Sequence, residues 1–186
     1  KTALKGLIEG FYSQEIAEGK SIVDKSRGWM AYIELIEEVL ERPVKIICCV
    51  RDLREVVASF ERLWRTNQLT KADVGGETYL ECQTMHGRAN QLLCSGAVLG
   101  LAINRLRDVF DRKLDDRLVI VPYSELVNDP VSVTFQVSMA CGLKPFILDP
   151  NHIEQKTKED DSVYGMRLHN IRPKIDNQGT NWRDYL

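Results

Sequence analysis

The sequence has no apolar run long enough to cross a membrane. Its most apolar stretch, Val44–Val50, is seven residues long and includes Lys45, whereas a membrane-spanning helix needs about 20 apolar residues. The first residues also lack the basic and then apolar pattern of a secretory signal peptide. These absences predict a soluble protein without a membrane span.

A surplus of charge of either sign is missing too. The 25 lysine and arginine residues are balanced by 27 aspartate and glutamate residues, which gives a net charge of −2. A chain without an overall basic field is not expected to bind nucleic acid or an anionic membrane surface. Local basic spots can still bind a small anion.

Cysteine is scarce and has no metal-binding spacing. The five cysteines are an odd number, form no C-x-x-C pair and lie in apolar surroundings, which indicates reduced thiols in the cytoplasm rather than a disulfide framework. Histidine and the acidic residues likewise show no spacing typical of metal ligands. We therefore expect a cytoplasmic protein that needs no metal.

What the sequence does contain fits a single domain over residues 1–186. The chain is 44% hydrophobic and 28% charged, which is enough to bury a core and excludes disorder. It begins at Lys1 and enters at once a helical pattern of apolar residues that includes Leu4, Leu7 and Phe11. We expect this domain to be incomplete at its N-terminus.

Alternating strand and helix patterns predict an α/β fold. The Val44–Val50 run is typical of a parallel strand buried on both faces, and Asp52 is placed to cap the next helix, with Glu55 completing a capping box. Pro43 and Gly142 are helix stop signals. The predicted strands are Ser21–Val23, Val44–Val50 and Arg117–Pro122. The predicted helical segments are Trp29–Glu41, the helix that Asp52 caps, Gln83–Arg112 and Pro130–Cys141. A loop is predicted at Thr66–Glu81 and a turn at Glu125–Val127.

Strands separated by helices predict a mostly parallel sheet between two helical layers, a three-layer α/β/α sandwich. Such sheets bind ligands beyond the carboxyl ends of their strands. The informative positions are therefore Asp24–Arg27, Arg51, Asp52 and Pro122–Glu125.

Arg51 leaves the apolar strand at its carboxyl end, and Ser59 follows on the next helix eight residues later. Two helical turns span about 10 Å, and a folded-back arginine covers much of that distance, so a phosphate along this flank can touch both side chains. The alternative is purely structural: Arg51 pairs with Asp52, Glu55 or another acid, and Ser59 bonds to a helix carbonyl.

The run Val50–Phe60, which contains Arg51 and Ser59, resembles the 3′-phosphate-binding segment of sulfotransferases that use 3′-phosphoadenosine 5′-phosphosulfate (PAPS). The segment Val121–Pro130 is similar to another block of that family, in which a strand-end tyrosine and an acid precede an Asp-Pro helix start. The resemblance implies a P-loop NTPase-like sulfotransferase fold. It also implies that Arg51 and Ser59 bind the 3′-phosphate and that Tyr123 lies beside the adenine.

Two further segments extend the resemblance. Asp24–Ser26 resembles the family loop whose lysine faces the transferred sulfuryl group, which implies a catalytic role for Lys25. His169–Arg172 is similar to a segment near the end of small bacterial or phage-type sulfotransferases. Arg172 and Lys174 echo the Arg-Lys-Gly motif near the family's C-terminus, which implies additional cofactor contacts; a solvated basic tail is the alternative.

Two parts of the sequence depart from the family pattern. The Ser-Gly-Thr-type loop that holds the 5′-phosphosulfate is not found, and we expect it upstream of Lys1. Gly19–Ser21 does not replace it, because this segment lacks the earlier glycine of a phosphate loop and precedes a predicted strand. The family's closing Gly-Asp-Trp is matched only by Gly179–Trp182, with altered spacing.

The resemblance implies an enzyme that moves a sulfuryl group from PAPS to a hydroxyl or amine of a small molecule, glycan or lipid by in-line displacement, without a metal. One alternative is a nucleotide kinase or related NTPase on the same architecture. The other is a nucleotide-binding module without catalysis. The general base, the acceptor and the oligomeric state stay open at this point.

Overall fold

In the part of the chain that the structure describes, helices alternate with two short strands. The computed structural model describes residues 1–66, 81–155, 171–176 and 181–186. The helices are α1 (Thr2–Phe11), α2 (Ser13–Ala17), α3 (Ile33–Leu40), α4 (Leu53–Thr66), α5 (Met85–Leu93), α6 (Val98–Asp111), α7 (Tyr123–Asn128) and α8 (Pro130–Ala140); the strands are β1 (Ile46–Val50) and β2 (Leu118–Pro122); short 3-10 turns cover Trp29–Tyr32, Glu81–Gln83, Asp115–Arg117 and Trp182–Asp184.

The two strands form a parallel pair, and their register decides which residues meet at the sheet edge. Val50 lies opposite Pro122, the last residue of each strand. Arg51 and Tyr123 therefore leave the same edge side by side. The α/β class predicted from the alternating pattern is confirmed, with a two-stranded parallel sheet among the described residues.

Helix α4 begins as predicted, with Asp52 as its cap. The Asp52 Oδ1 accepts a hydrogen bond from the backbone N–H of Arg54 at 2.9 Å, which satisfies one of the unpaired donors of the first turn. The predicted capping-box role of Glu55 is wrong. Its carboxylate accepts a hydrogen bond from the Arg51 side chain at 2.9 Å, a charge-assisted bond stronger than one to a neutral backbone N–H.

The stretch Gln83–Arg112, predicted to be mostly helical, contains the two helices α5 and α6. Thr84 caps α5 by accepting a hydrogen bond from the Gly87 N–H at 3.0 Å, and the chain turns at residues 94–97 before α6 begins. Gly100 makes the tight return possible, since a Cβ at this buried position would lie 1.9 Å from the carbonyl oxygen of Cys94. The break thus depends on a close backbone approach.

The prediction of a strand at Ser21–Val23 is wrong. Residues 20–26 have no regular structure, and Ile22 and Val23 are exposed. Side chains hold the following loop instead: the Trp29 indole N–H donates to Asp24 at 2.9 Å, and the Gly28 N–H donates to Ser26 at 3.0 Å. Such local hydrogen bonds compete with strand pairing.

The prediction that β1 is buried on both faces is also wrong. Ile47 is 39% exposed and Cys49 is exposed, whereas Cys48 between them is buried. On β2, Ile120 is 48% exposed. With two strands in the described sheet, the helices that contact it leave part of each strand open.

The segment after β2 is more helical than predicted. Glu125–Val127, predicted to form a turn, lies inside α7. Helix α8 agrees with its prediction, because Asp129 caps it by accepting from the Ser132 N–H at 3.1 Å and Pro130 is its first residue. Gly142 ends the segment with φ +65°, a left-handed conformation that favours glycine.

The buried core is formed by apolar side chains from both strands and the long helices. The buried apolar residues include Ile33, Val39, Cys48, Val57, Ala58, Leu92, Val109 and Val121.

None of the described helices combines the length and the apolar character that a bilayer span requires.

Candidate functional site

Arg51 and Tyr123, two residues predicted to bind the nucleotide, are in direct contact. The Cζ atom of Arg51 lies 4.4 Å from the centroid of the Tyr123 ring, within the range of a cation–π contact. The register of β1 and β2 explains this contact, because it places the two residues next to each other at the carboxyl edge. The sequence placed both at strand ends, and the structure shows that the two ends adjoin.

The guanidinium of Arg51 has a second partner in Glu55. Its Nε donates to the Glu55 Oε2 at 2.9 Å, and the Arg51 side chain is 22% exposed. The structural alternative, an Arg51–Glu55 pair, is thus present, but it uses only the Nε edge. Within the described residues the two Nη groups have no hydrogen-bond partner, which leaves a planar pair of donors of the kind that binds a phosphate.

Ser59 lies on the same flank of α4. It comes one turn after Glu55, so the two side chains lie on one helix face, and Ser59 is half-buried. The structural alternative for Ser59, a bond back to a helix carbonyl, is not found among the described contacts, although Ser138 makes such a bond to Thr134 at 2.8 Å. An anion that touches both Arg51 and Ser59 would lie near the Glu55 carboxylate, which Arg51 contacts.

Lys25 lies on the exposed loop that precedes Trp29. Within the described residues, no hydrogen bond, ion pair or ring contact joins it to Arg51, Ser59 or Tyr123. The loop is anchored elsewhere: the carbonyl of Arg27 accepts from the Arg105 guanidinium of α6 at 2.7 Å. The strand predicted before Lys25 does not form, so Lys25 does not follow a strand of the described sheet.

Arg172 and Lys174 lie on a segment that pairs with residues 150–153. The Ile153 N–H donates to the Pro173 carbonyl and the Ile175 N–H to the Pro150 carbonyl, both at 2.8 Å. Arg172 is exposed, and its side chain contacts Asp176 at 3.5 Å. No contact of either basic residue with Arg51 is found in the described segments. The His169 end of this motif, with residues 177–180, lies outside the described residues.

The sequence reading missed the contacts that the last six residues make with α4. The Cζ atoms of Arg54 and Arg183 lie 4.6 Å and 4.4 Å from the Trp182 ring. Farther along α4, the Arg65 guanidinium donates to the Tyr185 carbonyl at 3.1 Å. The only sequence signal was a mixture of arginine and aromatic residues at the C-terminus, which does not specify a partner.

Two other features of the described part bear on chemistry. A cleft between α4 and α5, lined by residues that include Phe60, Trp64 and Met85, contains none of the predicted site residues. Among the described residues, no group of three or more histidine, cysteine, aspartate or glutamate side chains is arranged to hold a metal ion.

Comparison with protein families identifies the class of the chain. The model of the sulfotransferase family matches residues 2–147, which is most of the sequence, and the chain therefore belongs to the sulfotransferase family. The matched range includes Lys25, Arg51, Ser59 and Tyr123 and ends before Arg172. The chain is thus a transferase domain for sulfuryl groups, and it uses a sulfo-donor. No curated protein and no solved structure matches the sequence.

Proposed function

We propose that this sulfotransferase takes its sulfuryl group from PAPS. The observation that carries the proposal is Arg51 at the carboxyl edge of the sheet, with its Nη donors unpaired among the described residues and its Cζ atom over the Tyr123 ring. PAPS differs from common nucleotide donors by its 3′-phosphate, a doubly charged group that suits a planar pair of donors. Ser59 on the same flank adds a hydroxyl donor.

The remaining assignments follow from the family resemblance. Tyr123 borders the adenine, Arg172 and Lys174 contribute further phosphate contacts, and the domain adopts the three-layer P-loop NTPase-like architecture. Lys25 supplies positive charge to the sulfuryl oxygens and the leaving phosphate. Lys25 lies on an exposed loop, and among the described residues no hydrogen bond or ion pair joins it to Arg51.

The reaction is an in-line displacement at sulfur. An oxygen or nitrogen of the acceptor forms a bond to sulfur while the bond from sulfur to the bridging phosphate oxygen breaks. The acceptor loses a proton to a base, and the nucleotide leaves as adenosine 3′,5′-bisphosphate. Charge develops on the equatorial and leaving oxygens, so positioned cations supply most of the catalysis. We propose a small-molecule, glycan or lipid hydroxyl (or amine) as acceptor and a cytoplasmic location.

The direct test is whether the protein recognises the 3′-phosphate. We expect adenosine 3′,5′-bisphosphate to raise the thermal unfolding midpoint more than adenosine 5′-monophosphate or ATP does at equal concentration, because stabilisation by a ligand increases with the logarithm of its concentration divided by its Kd for the folded state. Arg51→Ala removes a charge-assisted contact and is expected to weaken bisphosphate binding about tenfold or more, with little change for the monophosphate.

Arg42→Ala is the matched control. Arg42 is also basic, but it is exposed and precedes β1, so it lies at the opposite end of the strands. Its loss is expected to leave both affinities unchanged. Equal or greater protection by ATP would favour the kinase alternative, and an Arg51→Ala variant that binds bisphosphate normally would refute the 3′-phosphate assignment.

A further inference from the structure

We propose that Glu55 and Tyr123 are positioning residues that hold Arg51 ready for the 3′-phosphate of the nucleotide. The inference rests on the proposed function, since it concerns the same site. It assigns Glu55 a role that the family resemblance did not provide. It also gives Tyr123 a second task besides bordering the adenine.

A guanidinium offers three edges for hydrogen bonds and two faces for ring contacts. The Nε edge of Arg51 is held by Glu55 at 2.9 Å, and its Cζ atom lies over the Tyr123 ring, 4.4 Å from the ring centroid. An arginine side chain has many rotamers, and a planar group fixed at one edge and one face keeps little rotational freedom. The Nη edge is what remains for a ligand, so phosphate binding needs less ordering of the side chain.

The two partners come from different parts of the chain. Glu55 lies in the first turn of α4, one turn after Arg51, and Tyr123 is the first residue of α7 after β2. The parallel register of β1 and β2 brings them to the same guanidinium. The Arg51 geometry is therefore specified jointly by the sheet and by the start of α4.

The negative charge of Glu55 makes its positioning role testable, because a carboxylate does not itself attract a phosphate. A carboxylate beside the phosphate site weakens anion binding by Coulomb repulsion. Glu55 therefore increases the affinity for the 3′-phosphate only if its ordering of the Arg51 side chain outweighs this repulsion. Removing Glu55 therefore has two opposite outcomes. Weaker recognition of the 3′-phosphate means positioning, and stronger recognition means repulsion.

The experiment measures the ratio of affinities for adenosine 3′,5′-bisphosphate and adenosine 5′-monophosphate, which isolates the 3′-phosphate. We expect Glu55→Ala and Tyr123→Leu each to lower this ratio about threefold, as the loss of a helix ion pair or an exposed cation–π contact does. Glu55→Gln keeps an oxygen that accepts from Nε, and Tyr123→Phe keeps the ring, so both should retain most of the ratio. Glu38→Ala, which removes an exposed acid of α3 that precedes β1, is the control.

Each other outcome overturns the inference. An unchanged or increased ratio in Glu55→Ala removes its positioning role. If Tyr123→Leu weakens both nucleotides equally, Tyr123 contacts the adenosine part and does not position Arg51. If the wild-type protein shows no preference for the bisphosphate, the proposed function fails first.

A measurement without nucleotide distinguishes a failure of the positioning inference from a failure of the proposed function. NMR relaxation of the Arg51 Nε–H group should show a rigid side chain in the wild-type protein and a mobile one in Glu55→Ala. A mobile Arg51 in the wild-type protein would refute positioning, whatever nucleotide the protein binds.

Discussion

Glu61 of α4 is a charged side chain in the interior of the described structure, with 4% of its surface exposed. Arg88 of α5 donates two hydrogen bonds to it, both at 2.7 Å, and Arg65 donates a third at 2.8 Å. Burial alone would raise the pKa of Glu61, but the bonds from the two arginines outweigh burial, and the pKa is lowered. Arg88 also lies 3.7 Å from the centroid of the Trp64 ring.

Removal of the Glu61 carboxylate is expected to destabilise the fold. Glu61→Ala leaves Arg88 nearly buried without its main partner, and a broken buried pair of this kind costs about 3 kcal/mol of unfolding free energy. Glu61→Gln, which keeps a hydrogen-bond acceptor, should cost less, about 1–2 kcal/mol. Urea denaturation checks both values, with the exposed Glu125→Ala as control. A Glu61→Ala variant as stable as that control would show that the pair does not stabilise the fold.

At the scale of elements, the turn between α5 and α6 depends on one glycine. A Cβ on Gly100 would meet two backbone carbonyl oxygens, that of Cys94 at 1.9 Å and that of Leu93 at 2.5 Å. Backbone atoms cannot move aside as a flexible side chain can, so the two helices would have to separate. The sequence showed a glycine in a helical stretch but not the carbonyls that face it.

Gly100→Ala and Gly6→Ala should change stability in opposite directions. Gly6 lies inside α1 with nothing within 4 Å of an added Cβ, so alanine there gains helix propensity and stabilises the protein by up to about 1 kcal/mol. At Gly100 the clash exceeds that gain, and we expect a loss of about 2 kcal/mol. Thermal unfolding of the two variants is the measurement. Stabilisation of both would mean that the α5–α6 turn tolerates a side chain.

The elements predicted from the sequence were those whose signals lie within a few residues. Asp52, Asp129 and Pro130 mark helix starts by chemistry that acts within one turn, and the structure has helices at each. Ser21–Val23 failed as a strand because a strand needs a partner, and its local apolar pattern says nothing about one. Glu55 failed as a capping residue because Arg51 was the better partner.

At the scale of the whole molecule, arginine–carboxylate contacts join elements that are distant in sequence. Arg117, just before β2, donates to Glu37 of α3 at 2.7 Å, and Arg112 at the end of α6 donates to Glu34 of α3 at 2.7 Å. A side-chain hydrogen bond from Arg117 lowers the pKa of Glu37. The side chain of Arg54 in the same way lowers the pKa of Asp52 to about 2.

These lowered pKa values predict that the protein loses stability in acid. In the unfolded chain such carboxyls titrate at about 3.9–4.3, so below about pH 5 the unfolded state binds more protons than the folded state, and the unfolding free energy decreases down to about pH 2. Urea denaturation at a series of pH values measures this slope. Glu61→Gln removes one of the carboxyls and should make the slope shallower; an identical slope would show that Glu61 does not contribute.

The sequence by itself determined the starts of α4 and α8, the two apolar strands, and the presence of Arg51 and Tyr123 at strand ends, because each of these depends on neighbouring residues. The tertiary structure alone decided that the Tyr123 ring covers the Arg51 guanidinium, that the Lys25 loop is tied to α6, and that the C-terminal turn packs on α4. These contacts join residues far apart in sequence. They are decided by strand register and helix packing, which the free energy of the whole fold selects and which no local pattern records.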